Sequence, residues 1–278
     1  MKYLAQTENI TEEKDKDLSY NRVILDTTDG QIYTTVGVKY KLIDLGLPSG
    51  TLWMDRNVGA ESVLDCGLYF AWGETQGYKS NEVGIKKNFT NNDYKYTNGK
   101  YETKYCKADG LTTLENEDDA AFQYTNGECS MPSVEQYAEL LENTIIYAVT
   151  TDNERILGTY KNARITYDKT IDETKRISHY EFINKTNETS KICLPCNGEA
   201  INGSFGGSAI GDSTVGVHTN YWTNKLYIPH DFYYDYYNAY AFEFNAPFWE
   251  GELWCYPSGD LATRYVGKCI RGCKSITK

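Results

Sequence analysis

The sequence between residues 42 and 60 reads LIDLGLPSGTLWMDRNVGA. Pro48 and Gly50 stand between two apolar segments of this stretch, and proline and glycine are the residues that most strongly interrupt regular structure. The pattern therefore predicts short strands joined by tight turns. We expect the surrounding chain to be strand-rich and loop-rich in the same way.

Residues 22–42 alternate between apolar and polar side chains, which is the period of a half-buried strand. Asp29 and Gly30 divide the segment, and this dipeptide is a common hairpin turn. We therefore predict a β-hairpin. Residues 1–20 are polar and charged without periodicity, and we interpret them as an extended arm.

The clearest helix signal lies at residues 133–143, SVEQYAELLEN. Ser133 and Gln136 have the spacing of a capping box, which satisfies the first free N–H groups of a helix. One face of this helix is apolar and is predicted to pack on the core: Val134, Tyr137, Ala138 and Leu141. A second, shorter helix is indicated at residues 115–125, ENEDDAAFQYT.

The remaining segments favour strands and loops. Strands are predicted within residues 145–195 and in four aromatic segments of the tail: 221–228, 239–244, 252–256 and 264–272. Long irregular loops are predicted at residues 76–110 and at the Gly- and Ser-rich residues 197–220. The fold class predicted from these patterns is α+β.

Composition limits the possible partners. The 278 residues include 28 basic and 39 acidic side chains, and the net charge of −11 disfavours a nucleic-acid partner because phosphate binding needs clustered cations. No apolar run reaches the ~18–20 residues of a membrane span, so no membrane insertion is expected. The N-terminus shows no secretory signal, and we expect synthesis in a cytoplasm.

Eight cysteines raise the question of metal or disulfide chemistry. Cys193 with Cys196 and Cys269 with Cys273 could supply a tetrahedral zinc site, but the second pair has an unusual spacing for one. Small buried thiols or late disulfides are the preferred interpretation. His179, His218 and His230 are scattered, so we predict no metal site and no cofactor.

Several motifs resemble one family in the order in which they occur. Residues 44–53 (DLGLPSGTLW), 57–60 (NVGA), 67–75 (GLYFAWGET), 118–121 (DDAA), 131–137 (MPSVEQY), 221–223 (YWT) and 264–271 (RYVGKCIR) are similar to motifs of a paralogous domain of Bacteroidetes and Fibrobacter surface proteins and of their phages. The resemblance covers most of residues 42–272.

The resemblance implies a C-type-lectin-like fold, in which small twisted antiparallel sheets and about two helices support long binding loops. It assigns residues 41–278 to that domain and leaves residues 1–40 as an N-terminal arm and hairpin. Residues 151–192 are longer and more polar than in the family. The calcium-dependent sugar motifs EPN, QPD and WND are absent from the sequence.

Tyrosine is unusually frequent, with 25 residues. Residues 231–238, DFYYDYYN, cannot all face inward in a strand of period two, so some of these rings must be exposed. In relatives this region forms the ligand loops. The predicted ligand-binding residues are Tyr233, Tyr234, Tyr236, Tyr237, Asn238, Trp249, Trp254 and Tyr256. The alternative is that these rings pack between the subunits of a dimer or trimer.

Structural roles are expected for several residues that lie within the motifs themselves. Trp53, Trp72 and Trp222 are predicted to lie in the core. Glu74 is predicted to be a buried hydrogen-bonding group beside Trp72. Arg271 is predicted to pair with an acidic side chain near the C-terminus.

The preferred hypothesis is a non-enzymatic virion surface protein, a head or tail fibre or decoration subunit. Residues 1–40 would attach it to capsid or tail proteins, and the lectin-like domain would bind a host surface glycan or protein. One alternative is an adhesin module of a bacterial cell surface. The other is an enzyme of the formylglycine-generating or oxygenase type on the same fold, whose cysteine pair or iron site the sequence does not match.

Overall fold

The computed structural model describes residues 23–26, 31–34, 39–161, 164–168, 176–205, 218–228, 238–245, 252–256 and 261–276. Within them the chain is a mixed α+β structure of antiparallel sheets with few helices, which confirms the predicted class. The helices are α1 (Ala120–Tyr124) and α2 (Val134–Asn143), with single 3₁₀ turns at Ser80–Glu82, Asn91–Asp93 and Asn116–Asp118.

The strands of the described residues are short. They are β1 (Val23–Asp26), β2 (Gln31–Thr34), β3 (Lys39–Asp44), β4 (Leu52–Met54), β5 (Thr144–Thr150), β6 (Arg155–Lys161), β7 (Arg164–Tyr167), β8 (Ile177–Asn184), β9 (Lys191–Pro195), β10 (Ala200–Ile201), β11 (Ser204–Phe205), β12 (His218–Leu226), β13 (Asn238–Asn245), β14 (Glu252–Tyr256), β15 (Leu261–Thr263) and β16 (Cys273–Lys274).

The N-terminal strands belong to a five-stranded sheet of order β1-β2-β3-β4-β16. β1 and β2 pair antiparallel, as the predicted hairpin requires, although Asp29 and Gly30 lie outside the described residues. β3 pairs with β2 through residues 39–41 and with β4 through residues 42–44. The expected boundary at residue 40 therefore falls inside a strand that both parts share, and Tyr40 itself is buried.

The second large sheet has nine strands, in the order β12-β13-β14-β7-β6-β5-β8-β9, with β15 also paired to β13. Its ladders are all antiparallel. Residues 151–192 supply β6, β7, β8 and the start of β9.

Helix α2 begins as predicted. The Ser133 hydroxyl accepts the Gln136 N–H at 3.2 Å, and the Gln136 side chain accepts the Ser133 N–H at 2.9 Å. This reciprocal capping satisfies N–H groups that the helix cannot bond internally. Tyr137 from this helix stacks on Phe242 of β13 with ring centroids 4.1 Å apart, so the helix packs on the nine-stranded sheet.

The core lies between these elements and a long loop region at residues 55–118. Trp53, Trp72 and Trp222 are fully buried, which confirms their predicted structural role. The indole N–H groups of Trp72 and Trp222 donate to the carbonyls of Thr223 and Phe70 at 2.8 and 2.7 Å. Aromatic side chains therefore satisfy backbone groups of the loop region and of β12 as well as filling space.

Two expectations about the C-terminal segment are wrong. Residues 264–272 form no regular strand but a turn and three isolated bridges, because successive residues pair with different segments: Ala200 with Gly267, Phe70 with Lys268, and Tyr221 with Cys269. Among the residues that the structure describes, Arg271 has no acidic partner. Its guanidinium donates to Asn57 Oδ1 and to the carbonyls of Met54 and Cys193, so neutral oxygens satisfy this buried cation.

No helix of the described residues combines the length and the apolar character that crossing a membrane demands. The longer of the two helices, α2, has 10 residues.

Candidate functional site

The predicted ligand loop is carried by the hairpin of β12 and β13. The two strands pair from His218↔Asn245 to Leu226↔Ala239, with a register irregularity between Trp222 and Leu226. The hairpin is anchored in the core through buried side chains of both strands: Tyr221, Trp222, Leu226, Ala239, Ala241 and Phe242. Residues 229–237, which connect these strands, contain the tyrosine run.

The structure locates only part of the predicted binding set. Tyr233, Tyr234, Tyr236, Tyr237 and Trp249 lie outside the described residues. Asn238 is the first residue of β13 and is partly buried. Its carbonyl accepts the Tyr227 N–H at 3.1 Å, so the loop starts and ends at a closed backbone hydrogen bond.

Trp254 and Tyr256 lie on β14, which pairs with the opposite end of β13. Tyr256 is the register partner of Glu243, whereas Asn238 pairs with Thr263 of β15. Asn238 and Glu243 are five positions apart on β13, a distance of about 17 Å at ~3.4 Å per residue. The described members of the predicted set therefore lie at the two ends of β13.

A second loop supports the hairpin near its end. The Leu226 N–H donates to the Thr112 carbonyl and the Leu114 N–H to the Asn224 carbonyl, both at 2.9 Å. The Lys225 ammonium lies 3.3 Å from Thr112 Oγ1. These contacts fix residues 111–114 against β12, and sequence reasoning missed them because nothing in either segment's local pattern identifies the other as its partner.

Partly exposed aromatic and apolar side chains lie at the end of the hairpin that precedes residues 229–237. Tyr227 and Tyr240 meet edge to face with ring centroids 5.5 Å apart. Burial raises the pKa of the Tyr240 hydroxyl, which therefore stays neutral and able to donate a hydrogen bond. Ile228, the last described residue before the loop, is 44% exposed. This end of the hairpin can bind through apolar contact and neutral hydrogen bonds.

Glu74 has the buried role predicted for it. Its carboxylate accepts the Lys87 ammonium at 2.9 and 3.0 Å and the Lys95 N–H at 2.8 Å. Both side chains of the ion pair are more than nine-tenths buried. All of these contacts are within the chain, so the pair joins two turns of the loop region.

The described cysteines do not form the zinc site considered from the sequence. Seven of them are free thiols, and Cys193, Cys196, Cys269 and Cys273 do not converge as a set of four. Burial raises the pKa of both the Cys196 and the Cys269 thiol. They are small buried groups, as the preferred interpretation held.

Two other clusters of metal-ligating side chains occur in the described chain. Glu115, Glu117 and Asp118 converge, but the Lys104 ammonium already lies 2.6–3.0 Å from a carboxylate oxygen of each. His179, Glu181 and Cys193 form the second cluster. Sequence reasoning missed it, although the two-residue spacing of His179 and Glu181 on a strand places both on one face.

Comparisons of the chain with protein-family models, with curated proteins and with solved structures found no match. The α+β class rests on the architecture described above. The family resemblance rests on the motifs quoted from the sequence.

Proposed function

We propose that the chain is a non-enzymatic surface protein of a virion, with a C-type-lectin-like fold, that binds a host surface glycan or protein. Antiparallel sheets, two short helices and a long loop region are the coarse features that such a fold would have. The order of the sequence motifs between residues 42 and 272 supports the finer assignment.

The observation that carries the binding role is the anchoring of the tyrosine-rich loop. Residues 229–237 connect two strands whose bases are buried and whose last backbone hydrogen bond joins Tyr227 to Asn238. A loop held at both ends loses less conformational entropy when it binds. Tyrosine supplies a large amphipathic contact area with few rotatable bonds, which suits a sugar face or a protein patch.

Attachment is assigned to the N-terminal residues. β1 and β2 extend the five-stranded sheet through β3, so a load applied ahead of residue 23 is passed to the domain through hydrogen-bonded strands. Residues 1–40 are proposed to contact capsid or tail proteins, and a dimer or trimer is the expected assembly.

The binding face is tested with the double variant Tyr234→Ala/Tyr236→Ala. We expect binding to intact Bacteroidetes cells, and to a glycan array, to fall at least about 30-fold, because hot-spot aromatics contribute ~2 kcal/mol or more. The matched control is Tyr101→Ala, since Tyr101 is 51% exposed in a different loop. Unchanged melting temperature and oligomer mass are required of both variants.

A double variant that dissociates into monomers would show that these rings form a subunit interface and would overturn the site assignment. A variant that stays assembled and binds normally would overturn it too. The proposed location of the protein on a virion is tested separately, by mass spectrometry of purified virus particles. Recovery of the chain in the outer membrane fraction of uninfected bacteria would instead support the cell-surface alternative.

A further inference from the structure

The cluster of His179, Glu181 and Cys193 lies on two neighbouring strands of the nine-stranded sheet. Glu181 of β8 and Cys193 of β9 are direct register partners. His179 precedes Glu181 by two residues on β8 and so lies on the same face. Three side chains with different metal-ligating atoms are thus brought together by regular strand geometry, which fixes their positions more firmly than a loop would.

The ligand atoms are close and enclosed. All three lie within 4.8 Å of one another, and His179 Nε2 is 4.0 Å from Glu181 Oε1. Each residue is more than nine-tenths buried. Tetrahedral zinc, with bonds of about 2.0–2.3 Å, holds its ligand atoms roughly 3.3–3.8 Å apart. Small side-chain rotations would close that difference.

We propose that His179, Glu181 and Cys193 bind a divalent transition-metal ion of the zinc type. Imidazole nitrogen, carboxylate oxygen and thiolate sulfur are the three ligand types that zinc accepts in proteins. Three protein ligands leave a fourth position for water or a further ligand. The site is separate from the β12–β13 hairpin and does not depend on the proposed binding function.

The histidine is already oriented for this role. Its Nδ1 atom lies 3.2 Å from the Ser178 hydroxyl, which leaves Nε2 to face Glu181. The Ser178 hydroxyl can accept the Nδ1–H, which is the tautomer that leaves the Nε2 lone pair free for a metal. Burial lowers the pKa of His179 against the opposing effect of Glu181, so the ring keeps a free lone pair at neutral pH.

Binding would release one proton. Burial raises the pKa of the Cys193 thiol, which is therefore protonated without a metal. On binding, the S–H bond breaks, the proton goes to solvent and the sulfur lone pair forms the metal–sulfur bond.

Two cationic side chains contact the Glu181 carboxylate. The Lys191 ammonium contacts Glu181 Oε1, and the Arg155 guanidinium lies 2.7 Å from Oε2. Both are about half exposed, with 43% and 47% of their side-chain surface accessible. Lys191 can therefore turn out to solvent when a metal takes its place, while Arg155 continues to balance the charge at Oε2.

The test uses full-length, reduced, chelator-treated protein and Co²⁺ as the spectroscopic probe, followed by competition with Zn²⁺. We expect one equivalent of Co²⁺ to give a near-ultraviolet thiolate charge-transfer band that Zn²⁺ abolishes. Cys193→Ser should remove the band, and Cys196→Ser, the buried thiol three residues away, should retain it. Absence of the band from the wild-type protein, or its persistence in Cys193→Ser, would overturn the proposal.

Two further variants keep the test independent of folding. His179→Gln should weaken Zn²⁺ binding at least tenfold, since even outer-sphere changes cost about that much. Lys191→Gln alters a half-exposed side chain and should tighten Zn²⁺ binding severalfold by removing the competing cation. Weaker or unchanged binding in Lys191→Gln would contradict the displacement of Lys191 and with it the site.

Discussion

The loop region at residues 55–118 and the strand segment β5–β8 satisfy buried backbone groups by different means. Side chains of the loop region satisfy backbone groups there and in neighbouring segments: Tyr94 donates to the Trp72 carbonyl at 2.8 Å and Tyr69 to the Asn197 carbonyl at 2.6 Å. In β5–β8, hydrogen bonds between neighbouring strands satisfy the backbone groups, and β5 pairs along nearly its whole length with β8.

The difference shows where each region is vulnerable. A buried carbonyl in a ladder keeps its partner whichever side chain the strand carries. A buried carbonyl in the loop region depends on one tyrosine or tryptophan, and an unsatisfied buried acceptor costs about 1–3 kcal/mol. Side-chain substitutions should therefore be more damaging in the loop region than in the strands at equal burial.

The largest effect is expected at the buried ion pair of the loop region. Lys87→Ala leaves the Glu74 carboxylate buried without its ammonium partner, and the free energy of unfolding should fall by about 3–5 kcal/mol in urea titrations. The neighbouring Lys86, which contacts Glu82 on the surface, is the control. An equal loss in Lys86→Ala would show that the cost does not come from burial.

A smaller loss is expected from Trp72→Phe. The change removes the indole N–H that the Thr223 carbonyl accepts and reduces the packed volume, so stability should fall by about 2–4 kcal/mol. Ile156→Val, at a buried position of β6, should cost only about 0.5–1.5 kcal/mol. Equal losses in the two variants would remove the distinction between the regions.

Acid should weaken the loop region through Asp118. Burial raises the pKa of this carboxyl, but hydrogen bonds from Lys104, Tyr96 and Tyr105 outweigh it and hold the pKa below its ordinary value. A depressed pKa contributes stability above about pH 4 that is lost as the pH falls through the folded-state value. Unfolding at pH 2–5 measures this loss.

In Asp118→Asn, the stability should depend less on pH between pH 2 and 5, because the amide has no proton to gain. Glu117→Gln removes an exposed carboxylate next to Asp118 and should leave this pH dependence unchanged. An unchanged pH dependence in Asp118→Asn would show that the acid-sensitive group lies elsewhere.

The smallest effect is expected at the start of α2, which lies between the loop region and β5 in the sequence. Ser133→Ala removes the acceptor for the Gln136 N–H, and stability should fall by about 1 kcal/mol. Ser133→Asp supplies another good capping acceptor and should restore most of it in thermal unfolding. No rescue would indicate that Ser133 acts through something other than the cap.

The sequence predicted what depends on local period. The capping box of Ser133 and Gln136, the α+β class and the strands within residues 145–195 are confirmed. The partners of Arg271 and the Lys87 ammonium on Glu74 were not predicted, because contacts between loops follow no period. The division of the predicted binding set depends on the pairing of β13 with β14 and β15, which single strands do not reveal.

The shared strand β3 has a mechanical consequence. A tension applied ahead of Val23 acts first on the Val23↔Thr34 pair and then on Ile24↔Tyr33, because an antiparallel hairpin pulled from its end opens one register pair at a time. Each released residue lengthens the tether by about 3.4 Å. Once the pairs between β3 and β4 have opened as far as Asp44, further extension must disrupt the core around the fully buried Trp53. A domain attached in this way should lose its N-terminal strand pairs one at a time before the force acts on its core.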